Sequence, residues 1–120
     1  MTPMPTIRRR EANGYTVLDV SGEIIVGDEG FSPAFVREVA AALDSGARRI
    51  VVCLDARHLT STALGAVIES SLKARERGGA LTVYSLRPTL RAVFKVLVHT
   101  GIFFDTEERA LAALNGQPLA

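Results

Sequence analysis

The chain has 120 residues, a formal net charge of +1, and 48% hydrophobic and 22% charged residues, which suits one globular domain with a real core. That charge offers no bulk attraction for nucleic acid or an anionic membrane, and no apolar stretch approaches the roughly 20 residues of a membrane span. The single cysteine, Cys53, excludes an internal disulfide and fits a reducing compartment.

Residues 1–5 read as a flexible tail without the apolar region of a signal peptide, so a cytoplasmic protein is expected. Thr6 to Glu11 forms a first strand, with Arg8, Arg9 and Arg10 on a solvated face. Asn13-Gly14 is a hairpin turn, because both positions tolerate positive φ. Tyr15 to Val20 alternates, with Thr16, Leu18 and Val20 on one face and Tyr15, Val17 and Asp19 on the other. Gly22 punctuates this strand, Glu23 to Val26 continues it, and Gly27-Asp28-Glu29-Gly30 breaks the chain.

Ser32 is the expected N-cap of a first helix, with Pro33 at its first position and Phe35, Val36, Val39, Ala40 and Leu43 on its core face. Gly46 stops it. Arg48 to Leu54 is a continuous apolar strand of the kind buried on both faces, and Cys53 within it is a core thiol. Asp55 to Thr60 is a polar loop. The next helix is capped by Ser61 or Thr62 and buries Leu64, Val67, Ile68 and Leu72. Lys73, Arg75, Glu76 and Arg77 form its solvated end, and Gly78-Gly79 stops it. Ala80 to Ser85 is a strand. Pro88 opens a helix that turns Leu90, Val93, Phe94, Leu97 and Val98 inward and ends at Gly101. Ile102 to Phe104 is a short strand, and Asp105 with Glu108 makes a capping box for a last helix carrying Leu111 and Leu114. Residues 117–120 are a second tail.

Strands alternating with helices imply parallel crossovers and a single α/β domain over 6–116. The expected architecture is a four- or five-stranded mixed sheet with helices mainly on one side. Its core should contain Leu18, Val20, Val51, Cys53, Leu64, Ile68, Val83, Val93, Phe94 and Leu97.

In such sheets, sites form beyond the carboxyl ends of strands. The strand ending at Leu54 points at Asp55-Ala56-Arg57-His58-Leu59-Thr60-Ser61-Thr62, the most polar crossover loop in the chain. It leads to a helix N-terminus, where unpaired N–H groups and the dipole favour an anion. A serine hydrolase built on Ser61, His58 and Asp55 is excluded, because a triad needs separated elements to aim its members and no nucleophile elbow is present. His58 and His99 stand far apart in no ligand spacing, so no metal is expected. His99 suits a helix C-terminal partner. Gly22, Gly27 and Gly30 follow no dinucleotide fingerprint, and no cofactor is expected. Taken alone, Asp55 reads as a turn former and Ser61 as a helix cap.

Several segments together resemble the STAS family, which includes the anti-sigma factor antagonists. Tyr15 to Glu23 is similar to the family's second-strand segment, and Gly46 to Val52 to its helix-to-strand entry. Ser61-Thr62-Ala63-Leu64-Gly65-Ala66-Val67 resembles the family's Asp-Ser-Ser-Gly-Leu-Gly motif, and Gly78 to Val83, Arg87 to Phe94 and Thr100 to Phe103 match the remainder. The likeness spans roughly residues 6–115 and departs at three points: Thr60 replaces the acidic residue before the serine, Ala63 replaces a glycine, and the loop before Ser61 is short.

The resemblance implies a regulatory protein-binding module, and not an enzyme. Its partner would be an anti-sigma factor that is also a serine/threonine kinase. Ser61 would be the phosphorylated serine, and Asp55, Arg57, His58, Thr60, Thr62 and Gly65 would contact the partner. Phosphorylation would cancel binding. No nucleic acid and no membrane insertion are expected, and homodimerisation stays open. The alternative is a STAS scaffold that is never phosphorylated, a subunit of a signalling or lipid-transport complex. An enzyme or small-ligand binder using the Asp55–Thr62 loop is the distant third reading.

Overall fold

The computed structural model describes residues 6–22, 31–56 and 59–116. Ten segments follow in order: strand β1 (Thr6–Ala12), β2 (Tyr15–Ser21), helix α1 (Phe31–Asp44), β3 (Arg49–Asp55), α2 (Ser61–Glu76), β4 (Ala80–Tyr84), α3 (Pro88–Val96), a 3-10 turn (Val98–Thr100), β5 (Phe103–Phe104) and α4 (Glu107–Leu114). The expected tails, the Glu23–Val26 extension and the Gly27–Gly30 break lie outside the described residues.

The five strands form one sheet in the order β1-β2-β3-β4-β5. β1 and β2 are an antiparallel hairpin that pairs Ala12 with Tyr15 across a two-residue turn. Asn13 at φ 53° and Gly14 at φ 84° give that turn the positive φ at both central positions that a two-residue hairpin requires. The other neighbours are parallel, so the sheet is mixed and the fold is α/β as expected.

Alternation along the strands builds two cores. Leu18, Val20, Ile50, Val52, Leu54, Leu81 and Val83 face α1, α2 and α3, and meet Phe35, Val39, Leu43, Val67, Leu90 and Phe94 there. Val17, Val51, Cys53, Tyr84 and Phe104 face the other way and pack beneath Ala110 and Leu114 of α4. Burial raises the Cys53 thiol above its ordinary value and pushes the Tyr84 phenol far above its own, so both stay protonated at neutral pH. The Tyr84 hydroxyl donates to Glu107 Oε2 at 3.0 Å, tying the foot of α4 to β4.

Three helix starts differ from expectation. Ser32 lies within the first turn of α1 and not before it, and its buried Oγ finds no hydrogen-bond partner among the described residues. For α2, Thr60 is the cap: its Oγ1 accepts from the Ala63 amide at 3.1 Å. For α4, Thr106 accepts from the Arg109 amide at 3.2 Å, displacing the Asp105–Glu108 box. A hydroxyl one residue before the first helical φ/ψ reaches the third amide, and in each of the last two cases the threonine holds that place.

The core expectation also needs correction on two helices. α2 buries Ala63, Ala66, Val67, Ser70, Ser71 and Ala74. At about 100° per residue this small-residue face leaves Leu64 half-buried and turns Ile68 and Leu72 to solvent. On α3, Leu90 and Phe94 define the buried line, so Val93 is exposed and Leu97 half-buried. The remaining six expected core residues are buried.

Candidate functional site

The carboxyl ends of β2, β3 and β4 converge beside the start of α2. β3 closes on Asp55, whose carbonyl accepts from the Gly22 amide at 3.1 Å. Its carboxylate oxygen Oδ1 accepts from Arg87 Nε at 2.5 Å, a pair in which both side chains are about two-fifths exposed. Arg87 sits at the cap of α3, in the loop after β4. Ser85 fixes that loop: its hydroxyl donates to the Leu54 carbonyl at 2.7 Å and accepts from the Arg87 amide at 3.1 Å. Asp55 is therefore a strut between two strand ends. A half-exposed ion pair of this kind contributes up to about 1 kcal/mol, so its larger effect is to hold both side chains in place.

Thr60, Ser61 and Thr62 follow on the same rim. Because Thr60 takes the cap, Ser61 is the first helical residue, and its exposed hydroxyl makes no hydrogen bond among the described residues. Ala63 is fully buried, so its methyl is packed inside the fold where the resembling motif carries glycine. The first turn of α2 has no acidic residue, and its amides and dipole favour negative charge at that end. Thr62, Gly65, Ala66 and Glu69 of α2 face Ser32, Pro33 and Val36 of α1 across an open groove of about 530 Å³.

Gly65 is exposed in the second turn of α2, and a Cβ built there meets nothing within 4 Å. A helical glycine is disfavoured by about 1 kcal/mol against alanine. No packing among the described residues requires its bareness.

Of the expected site residues, the fold brings Asp55, Thr60, Ser61, Thr62 and Gly65 to one rim. Arg57 and His58 lie outside the described residues. Asp55 is engaged with Arg87, a partner the sequence reading missed; a guanidinium beside a helix-opening proline, just after a strand, was its signal. His99 lies in the 3-10 turn just after α3, with Nδ1 3.0 Å from the carbonyl of Val96, the last residue of α3.

The fold has solved counterparts. Over 96% of this chain and 99% of its own, the crystal structure of an anti-sigma factor antagonist from Mycobacterium paratuberculosis superposes with a TM-score of 0.71 at 22% identity. The anti-sigma factor antagonist SpoIIAA in its unphosphorylated form superposes with a TM-score of 0.62 at 18% identity, over 95% of this chain and 100% of its own. No family model and no curated protein matches the sequence. The chain therefore has the fold of the anti-sigma factor antagonists along nearly its whole length.

Proposed function

We propose that this protein is an anti-sigma factor antagonist: a regulatory module that binds an anti-sigma factor kinase through the rim from Asp55 to Gly65 and is switched off by phosphorylation at Ser61. The observation that carries this reading is the division of labour at the start of α2. Thr60 caps the helix, so the Ser61 hydroxyl has no structural duty among the described residues and faces solvent. A phosphate there adds nearly two negative charges and three acceptor oxygens beside helix amides, so the fold tolerates it. Its effect falls on the partner surface. No catalytic step is assigned to the rim: Asp55 is engaged with Arg87. The antagonist reading places the protein in the cytoplasm; among the described residues no helix is long and apolar enough to cross a membrane.

Thr60 also supports the second reading, because it stands where the resembling motif has an acidic residue that a kinase would meet. In that reading the protein is a constitutive scaffold subunit. Incubation with ATP and a candidate anti-sigma factor kinase from the same genome, followed by mass spectrometry, separates the two. Phosphate on Ser61 supports the switch. Phosphate on Thr60 or Thr62 moves the site within the rim, and an unmodified chain from a complex that forms favours the scaffold.

A further inference from the structure

The rim at the carboxyl ends of the strands uses neither of the chain's two arginine runs, Arg8 to Arg10 and Arg48-Arg49. The fold brings part of each run to the opposite end of the sheet. Arg9 of β1, Arg48 and Arg49 line a cavity of about 420 Å³ between the β1-β2 hairpin and the turn that leads from α1 into β3. Like charges gathered in one concavity raise the local positive potential and draw anions to it.

Each guanidinium is held by neutral groups. Arg9 Nη2 donates to Ser45 Oγ at 2.7 Å, and the Ser45 hydroxyl donates in turn to the Ala42 carbonyl at 2.8 Å. Arg48 Nη1 donates to the Ala47 and Leu43 carbonyls at 2.7 and 3.2 Å, which also offsets the negative end of the α1 dipole. Arg49 Nη1 donates to Asn115 Oδ1 at 3.0 Å, and its guanidinium lies 5.3 Å over the Tyr15 ring. Arg49 Nη2 comes within 3.8 Å of the Cβ position at Gly14, on the hairpin tip. These contacts set direction and use few donors, because a guanidinium has five N–H groups. Neither Arg48 nor Arg49 has a carboxylate partner among the described residues.

The one carboxylate in the wall is Glu11. It accepts from the Thr16 hydroxyl, at 3.1 Å through Oε1 and 2.9 Å through Oε2, and Arg9 Nε stands 3.8 Å from Oε1. Asp44, at the end of α1, is paired with Arg77 at 3.2 Å. The wall therefore carries three positive charges against one negative. It holds no aromatic side chain, and Ala47 is its one apolar side chain. Such a wall selects charge and hydrogen bonds, and offers no surface on which a base could stack or an acyl chain could lie.

We infer that this cavity binds a small hydroxylated phosphate monoester, a sugar phosphate in chemical class. The forks of Arg48 and Arg49 take the phosphate oxygens. Glu11 accepts from a ligand hydroxyl, which distinguishes the ester from a bare inorganic anion. The volume lies within the range of small-molecule sites. Arg49 opens β3 and Asp55 closes it, so the cavity and the rim are about 20 Å apart along seven residues. The inference is independent of the antagonist reading and holds whether or not the rim binds a kinase.

The test is an NMR titration of the full chain at physiological ionic strength with glucose 6-phosphate, glycerol 3-phosphate, inorganic phosphate and glucose. At least one ester should shift the amide resonances of Gly14, Ser45, Gly46, Arg48 and Arg49 saturably, and leave Thr62, Gly65 and Leu111 unmoved. Inorganic phosphate should bind at the same place about fivefold more weakly, for want of the hydroxyl contact, and glucose should not bind. Arg49→Gln should weaken the ester about tenfold, and Arg49→Lys, which keeps the charge and loses the fork, should recover only part of that. Glu11→Ala should bring the ester and inorganic phosphate to similar affinities. Melting curves verify the folds; if Arg49→Gln melts lower, Arg9→Gln on the edge strand replaces it, with a severalfold loss expected. Absence of a saturable shift with both esters, shifts centred on the α2 N-terminus, equal affinity of wild type for the esters and inorganic phosphate, or full ester binding by the arginine variant would overturn the inference.

Discussion

Replacing Gly65 by alanine should make the protein more stable and its complex weaker. The helix around Gly65 is regular, and the added Cβ enters open space with nothing within 4 Å. The fold therefore gains the difference in helix propensity, about 1 kcal/mol, without a clash. For 120 residues, unfolding entropy near the midpoint makes that a rise of about 3–5 °C in Tm. The binding effect runs the other way. Gly65 adjoins Ser61 and Thr62 on the rim, and a methyl there pushes back a partner seated against bare backbone, so affinity should fall about tenfold, or about 1.4 kcal/mol. Circular dichroism melts and calorimetric titration with the kinase read the two effects on one preparation. A Tm that falls would mean that the glycine serves the fold. A Tm that rises with unchanged affinity would mean that the partner does not cover Gly65.

Other perturbations have separate readouts. Thr60→Ala removes the α2 cap and should cost about 1 kcal/mol in urea unfolding, while Ser61→Ala, which removes no cap, should leave stability nearly unchanged. Phe94, fully buried against Phe103 with ring centroids 5.0 Å apart, should cost about 3–5 kcal/mol when changed to alanine. Asp55→Asn loosens the strut to Arg87 and should weaken kinase binding with little change in Tm. Tyr84 and Cys53 have raised values in the folded state, so unfolding releases groups that ionise at about pH 10 and about pH 8.5. Their contribution is complete below those values and is lost as pH rises through the folded ones. Unfolding midpoints in guanidinium should therefore decline in alkali, and Tyr84→Phe should flatten the decline above about pH 10. A decline of equal slope in both proteins would refute the assignment.

The strands and stops were legible because backbone chemistry marks them. Asn13-Gly14, Gly46, Gly78 and Gly101 all take positive φ where the sequence demanded a turn, and the uninterrupted apolar run of β3 announced burial on both faces. The facing of α2 was hidden. Its buried side is made of alanine, serine and one valine, while its largest apolar residues point outward. A pattern that weights size therefore assigned Ile68 and Leu72 to the core. The cap of α2 was misread by one residue, because three hydroxyls in a row, Thr60, Ser61 and Thr62, differ only in where the helical backbone begins. That single step decides whether Ser61 is occupied or available. Asp55 was legible as part of the rim, but its bond to Arg87 spans 32 residues, and only the parallel pairing of β3 with β4 brings the two together.

The central claim, that Ser61 is a switch on a partner-binding rim, is tested most directly by calorimetric titration of wild type, Ser61→Ala and Ser61→Asp into the candidate anti-sigma factor kinase. Wild type and Ser61→Ala should bind alike, and Ser61→Asp should bind at least tenfold more weakly, about 1.4 kcal/mol, with all three melting at the same temperature. Equal affinity of all three for a kinase that binds, or a kinase that binds none of them, would contradict it.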